Sequence, residues 1–79
     1  MNWKSRITKT GKQTHWVDFN EKRLEIIKYP KIDSAFLIVL NSDYDYFDFW
    51  GRNRDDIVAK LSRRKVIPKE IVDNLPVLS

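Results

Sequence analysis

Residues 35–51 read AFLIVLNSDYDYFDFWG: an uncharged apolar run, a short polar turn, then aromatics interleaved with aspartates. An unbroken apolar run over residues 35–40 predicts a strand covered on both faces, which places it in the interior of its sheet. Asn41, Ser42 and Asp43 supply the turn chemistry that follows. From there, period-two alternation sends Tyr44, Tyr46, Asp48 and Trp50 to one face and Asp45, Phe47 and Phe49 to the other, with Phe47 and Phe49 as the core pair. This aromatic hairpin is therefore the expected structural centre of the fold.

The rest of the chain contrasts with it in charge. Residues 1–32 carry eight Lys/Arg against three Asp/Glu, residues 33–51 none against four, and residues 52–79 seven against four, for a net charge of +4. Such a basic balance suits an acidic partner such as nucleic acid, because phosphate neutralisation releases counterions. Ordinary solubilising charge is the competing explanation. The 79 residues are expected to form a single domain, residues 1–79, with a marginal core, since chains of this size bury only about 60% of their unfolded surface. A partner, or self-association into a homo-oligomer, can supply missing burial. With no Cys, one His, no apolar run long enough for a membrane span and no signal-like core, the expectation is a cytoplasmic protein with no disulfide, zinc framework or membrane partner.

Flanking elements follow from local pattern. Trp3, Ser5 and Ile7 alternate with Lys4, Arg6 and Thr8, predicting a strand with one basic face; Gly11 sits in the turn after it, and residues 15–19 form a second strand. Asp18 or Asn20, with Glu21, resembles a capping box opening a helix over residues 20–29, where Leu24 and Ile27 share a face, Ile26 widens it and Pro30 ends it. Asn53 and Asp56 open a further helix ending near Arg64, with Ile57, Val58 and Leu61 as its apolar face and Lys60, Arg63, Arg64 and Lys65 at its negative end. Pro68 starts a short helix over residues 69–74. The expected fold is α+β: a four-stranded, mostly antiparallel sheet packed against two helices, in the order β-β-α-β-β-α, plus the short C-terminal helix.

The segment HWVDFNEKRLEIIKYPKIDSAFLIVLNSDYDYFDFWGRNRDDIVAKL, within residues 4–62, resembles the C-terminal half of restriction-endonuclease-like proteins with the PD-(D/E)XK core. The resemblance implies a motif strand, a helix, an apolar strand, an aromatic strand and a closing helix. It places Lys4 at the family's motif lysine. That chemistry needs carboxylates to hold a divalent metal, yet Asn2 stands where the family has one, and no residue supplies the other aspartate. The resemblance therefore implies a degenerate or truncated half without activity of its own; a metal-dependent nuclease half completed by another chain is the variant of this reading.

No other catalytic constellation emerges, and no cofactor or metal is assigned. Asp43, Asp45 and Asp48 lack the ligand series of a calcium loop, and alternation divides Asp45 from Asp48. His15 has no Ser or Cys nucleophile motif beside it, and glycines at 11 and 51 alone make no phosphate loop. Two candidate surfaces remain. The first joins Lys4, Arg6, Lys9 and Lys12 to Lys60, Arg63, Arg64 and Lys65 as a DNA- or RNA-binding surface, with Trp3 or Trp16 offering stacking area. The second is Tyr44, Tyr46, Asp48 and Trp50, an acidic aromatic strip suited to a protein partner, as in a phage-type inhibitor occupying a host nucleic-acid enzyme. The competing explanations are solvated charge for the first and core coverage for the second.

Overall fold

The computed structural model describes residues 2–78; Met1 and Ser79, the ends of the expected domain, lie outside the described residues. Five strands come first: β1 (Lys4–Ile7), β2 (Gln13–Phe19), β3 (Lys22–Lys28), β4 (Phe36–Asn41) and β5 (Tyr46–Gly51). Two helices follow, α1 (Arg54–Ser62) and α2 (Lys69–Asp73). The sheet is an antiparallel meander in the order β1-β2-β3-β4-β5, so each strand pairs only with its chain neighbours. The α+β class, the antiparallel sheet, the helix after Asn53 and the short C-terminal helix match expectation; the helix expected over residues 20–29 is a strand, so the sheet has five strands rather than four and no helix interrupts them.

The extra strand is β3, in the segment read as a helix. Asn20 (φ 46°) and Glu21 (φ 62°) both take left-handed backbone, the pair of conformations a two-residue type I′ hairpin turn needs. Phe19 pairs with Lys22 directly across it. Asp18 caps no helix; it lies in β2 and forms a bidentate pair with Arg23 at 2.7 and 3.1 Å. The helical reading took Leu24 and Ile27 as one face. In fact Leu24 and Ile26 alternate inward, and β2 and β4 satisfy the backbone of β3 on both sides, which suits two β-branched isoleucines.

Residues directly opposite each other in adjacent strands share a face, so the register sorts every side chain. One face presents Val17, Phe19, Leu24, Ile26, Ile38 and Leu40, which pack with Ile57, Leu61, Ile67, Ile71, Val72 and Leu75 from the helical region as the buried core. Phe47 and Phe49 pack against that core from β5, as the alternation predicts. Among the described residues, no helix lies on the opposite face. It carries the rows Lys4–Trp16–Glu25–Val39–Asp48 and Arg6–Thr14–Ile27–Leu37–Trp50, then Asp18–Arg23–Asn41–Tyr46. The apolar run of β4 is thus covered on one side only: Ile38 and Leu40 are buried, while Leu37 and Val39 stay half-buried on the helix-free face.

α1 is fastened as its sequence predicts. Asn53 Oδ1 accepts from the Asp56 backbone N–H at 2.9 Å, and Asp56 reaches back to accept from Arg52 N–H at 2.9 Å. Lys60, one turn on, donates to Asp56 at 3.1 Å and to the Trp50 carbonyl at 2.8 Å, joining helix to β5. Arg54 donates to the carbonyls of Pro76 and Leu75 at 2.7 and 3.1 Å, holding the C-terminal segment against the start of α1.

Candidate nucleic-acid interface

The first basic group is built by the β1–β2 hairpin. Thr8 organises its turn: Thr8 N–H donates to the Lys12 carbonyl at 2.9 Å, Gly11 N–H to the Thr8 carbonyl at 3.0 Å, and Lys12 N–H to Thr8 Oγ1 at 3.1 Å. Gly11 (φ 93°) supplies the left-handed residue that closes it. Lys4 and Arg6 project on the helix-free face because they pair with Trp16 and Thr14. Arg6, Thr8, Lys12, Thr14, Trp16, Arg23 and Glu25 then line an open cleft of about 320 Å³. Inside it, the Arg23 guanidinium lies 5.8 Å from the Trp16 ring centre, while Lys12 sits 5.5 Å from the Tyr29 ring centre. Arg6, Lys12 and Arg23 against Glu25 and the adjacent Asp18, which Arg23 pairs with and whose pKa that hydrogen bond lowers, leave the site net positive.

The second basic group is elsewhere. Lys60 is held by Asp56 and the Trp50 carbonyl and lies 5.8 Å from the Phe49 ring centre, and Arg64 stands 4.7 Å over Phe47. With Arg63 and Phe49, Lys60 and Arg64 line a shallow concavity at the β5 edge. Lys65 follows in the exposed turn after α1. β1 and β5 are opposite edges of the sheet, four strand spacings or roughly 19 Å apart. The structure therefore separates the two basic groups expected to act together, and α1 keeps its group beside the covered face.

The acidic aromatic strip is partly assembled. Tyr46, Asp48 and Trp50 share the helix-free face of β5, with Tyr46 65% and Trp50 46% exposed. The Tyr46 hydroxyl donates to Asp48 Oδ2 at 2.7 Å, a bond that raises the phenol pKa. Tyr44 is not in this strand. It belongs to the β4–β5 turn, where Ser42 Oγ accepts from the Tyr44 and Asp45 backbone N–H groups at 3.3 and 2.8 Å, and its side chain is 95% exposed.

Among the described residues, no group of three or more His, Cys, Asp or Glu is placed to share a metal ion, and no helix is long and apolar enough to cross a membrane. His15 pairs with Ser5 and Ile26 on the helix side of the sheet, where burial lowers its pKa. Sequence reasoning missed Thr8, Thr14, Arg23 and Glu25 as members of the cleft. The signal for Arg23 was present in the alternation of Arg23, Glu25 and Ile27 against Leu24 and Ile26. No protein-family model, curated protein or solved structure matches this chain.

Proposed function

We propose that this chain is a small nucleic-acid-associated binding module that acts without catalysis, using the β1–β3 end of its helix-free sheet face. The observation that carries this reading is the cleft that Arg6, Lys12 and Arg23 line together with Trp16. Arginine and lysine at its rim suit phosphate, and an indole between them gives a base a ring to stack on, the combination that sequence-tolerant single-strand binders use. Lys4 and Lys9 extend the basic rim along β1 and its turn. The reading does not depend on the nuclease resemblance, whose helix after the motif strand is replaced here by β3.

The test is titration of a fluorescent single strand and a duplex at low salt. With Lys4, Arg6 and Lys12 meeting about three phosphates, single-strand affinity should fall with added salt with a log–log slope of about −2. Arg6→Glu with Lys12→Glu should remove binding, and Trp16→Ala should weaken the single strand more than the duplex. Absence of binding to both probes at low salt overturns the proposal.

A second reading, a phage-type inhibitor that docks an acidic aromatic strip into a basic groove, is supported by the shared exposure of Tyr46, Asp48 and Trp50. In that case Tyr46→Ala with Trp50→Ala abolishes capture of a basic nucleic-acid enzyme while the fold persists.

A further inference from the structure

The helix-free face is basic at its β1 edge, apolar in the middle and acidic and aromatic at its β5 edge. Its longest row begins at Lys4 on β1 and ends at Asp48 on β5, and the next row begins at Arg6 and ends at Trp50. Both terminal strands have an unpaired side, since among the described residues no strand lies beyond either of them. Such free edges are templates for another strand. We propose that the β5 edge of one copy receives the β1 edge of a second copy, continuing the sheet head to tail.

Charge selects this arrangement over its alternatives. Carrying the rows across the junction places Lys4 of one copy beside Asp48 of the next, and Arg6 beside Trp50, an ion pair and a cation–π contact on the same face. On the covered face Ser5 comes beside Phe49, and Ile7, 69% exposed, comes to the flank of the β5 aromatics. A symmetric β1–β1 contact sets Lys4 and Arg6 against their own copies, and β5–β5 sets Asp48 against Asp48. A copy turned over, with its helices on the other side, brings Lys4 and Arg6 to Lys60 and Arg64. Of these arrangements, only the same-face head-to-tail one sets no like charges together.

Because β1 and β5 run in the same direction in a five-strand meander, the junction is parallel, the slightly weaker ladder. β1 contributes four residues, and Lys60 already occupies the Trp50 carbonyl at one end of β5. The junction is therefore small, well under the about 1,200 Å² of stable interfaces, and association belongs to the weak class observed from about 10 μM to about 1 mM. As a heterologous contact it is not limited to dimers.

Sedimentation velocity on nuclease-treated protein tests this. The wild-type weight-average mass should rise above the monomer value with concentration and fall back on adding salt. Asp48→Lys should stay monomeric, and so should the double variant Lys4→Glu, Arg6→Glu. An equimolar mixture of the two variants should associate again, because both junctions between them, the native Lys4 beside Asp48 and the charge-reversed one, bring opposite charges together. Circular dichroism confirms that each variant is folded, all three positions being exposed. A wild type monomeric throughout the range, undiminished association in Asp48→Lys, or a mixture no larger than its components overturns the proposal. Asp48→Lys also separates it from nucleic-acid binding, which that substitution leaves intact or strengthens.

Discussion

β1 and β5 are both edges of one sheet, but the chain secures them differently. β1 has four exposed residues, pairs with β2 through a glycine-containing turn, and is otherwise held by Trp3, which packs on the core just before it. β5 sends Phe47, Phe49 and Gly51 towards the covered face, leads directly into the capped start of α1, and is tied to that helix by Lys60. An edge fixed by packing can display large aromatic side chains without losing its position. An edge whose own residues are held mainly by backbone pairing is suited to charged, solvated side chains, which select a partner edge of opposite charge over a like one.

The largest expected difference lies in the anchoring core. Ile57→Ala removes a fully buried side chain beneath the β5–α1 junction and should cost about 2–5 kcal/mol, whereas Ile7→Ala at the β1 edge should stay within about 0.5 kcal/mol. Urea denaturation measures both, and equal losses would show that β1 is anchored by more than its partner strand and Trp3.

A smaller effect probes how closely β5 approaches α1. A methyl at Gly51 would overlap Cγ1 of Ile57, so Gly51→Ala should cost about 1–3 kcal/mol by overpacking. The same substitution in an Ile57→Ala background should cost less, a double-mutant cycle that assigns the loss to this contact. Additive losses would place the strain elsewhere.

The smallest effect concerns acid. The Asp56 carboxylate accepts from Arg52 N–H and from Lys60, which lower its pKa beneath the ordinary 3.8; Asp18 is lowered mainly by Arg23. A depressed carboxylate stabilises the fold above the unfolded pKa and loses that contribution as pH falls through the folded one. The stability advantage of wild type over Asp56→Asn should therefore be present at neutral pH and disappear as the pH drops below about 3.8. A gap unchanged into strong acid would show that the carboxylate's charge is not what matters. Asp18→Asn gives the corresponding comparison on the β1 half.

The two halves were also unequally legible in sequence. Alternation in Phe47 and Phe49, the Asn53–Asp56 cap and the basic stripe of Lys4 and Arg6 are local signals, and each appears in the structure where the pattern puts it. β3 was misread because Asp18, Asn20 and Glu21 imitate a helix start, and an Asn-Glu turn lacks the glycine that usually marks a type I′ hairpin. Once β3 became a helix, Arg23 lost its place beside Trp16 and the cleft could not be assembled. The distance between the two basic groups was equally hidden, since it depends on strand order, not on any residue type.

All helical contributions to the core come from residues after Asn53, the N-cap of α1. During synthesis the five strands can zip together in order, each closing only a short loop onto its predecessor, so chain-entropy costs stay modest. Until the last third of the chain is available, however, Leu24, Ile26, Ile38 and Leu40 face water. A meander formed before the C-terminal segment would expose that apolar face, the kind of surface that makes partly folded chains prone to aggregate.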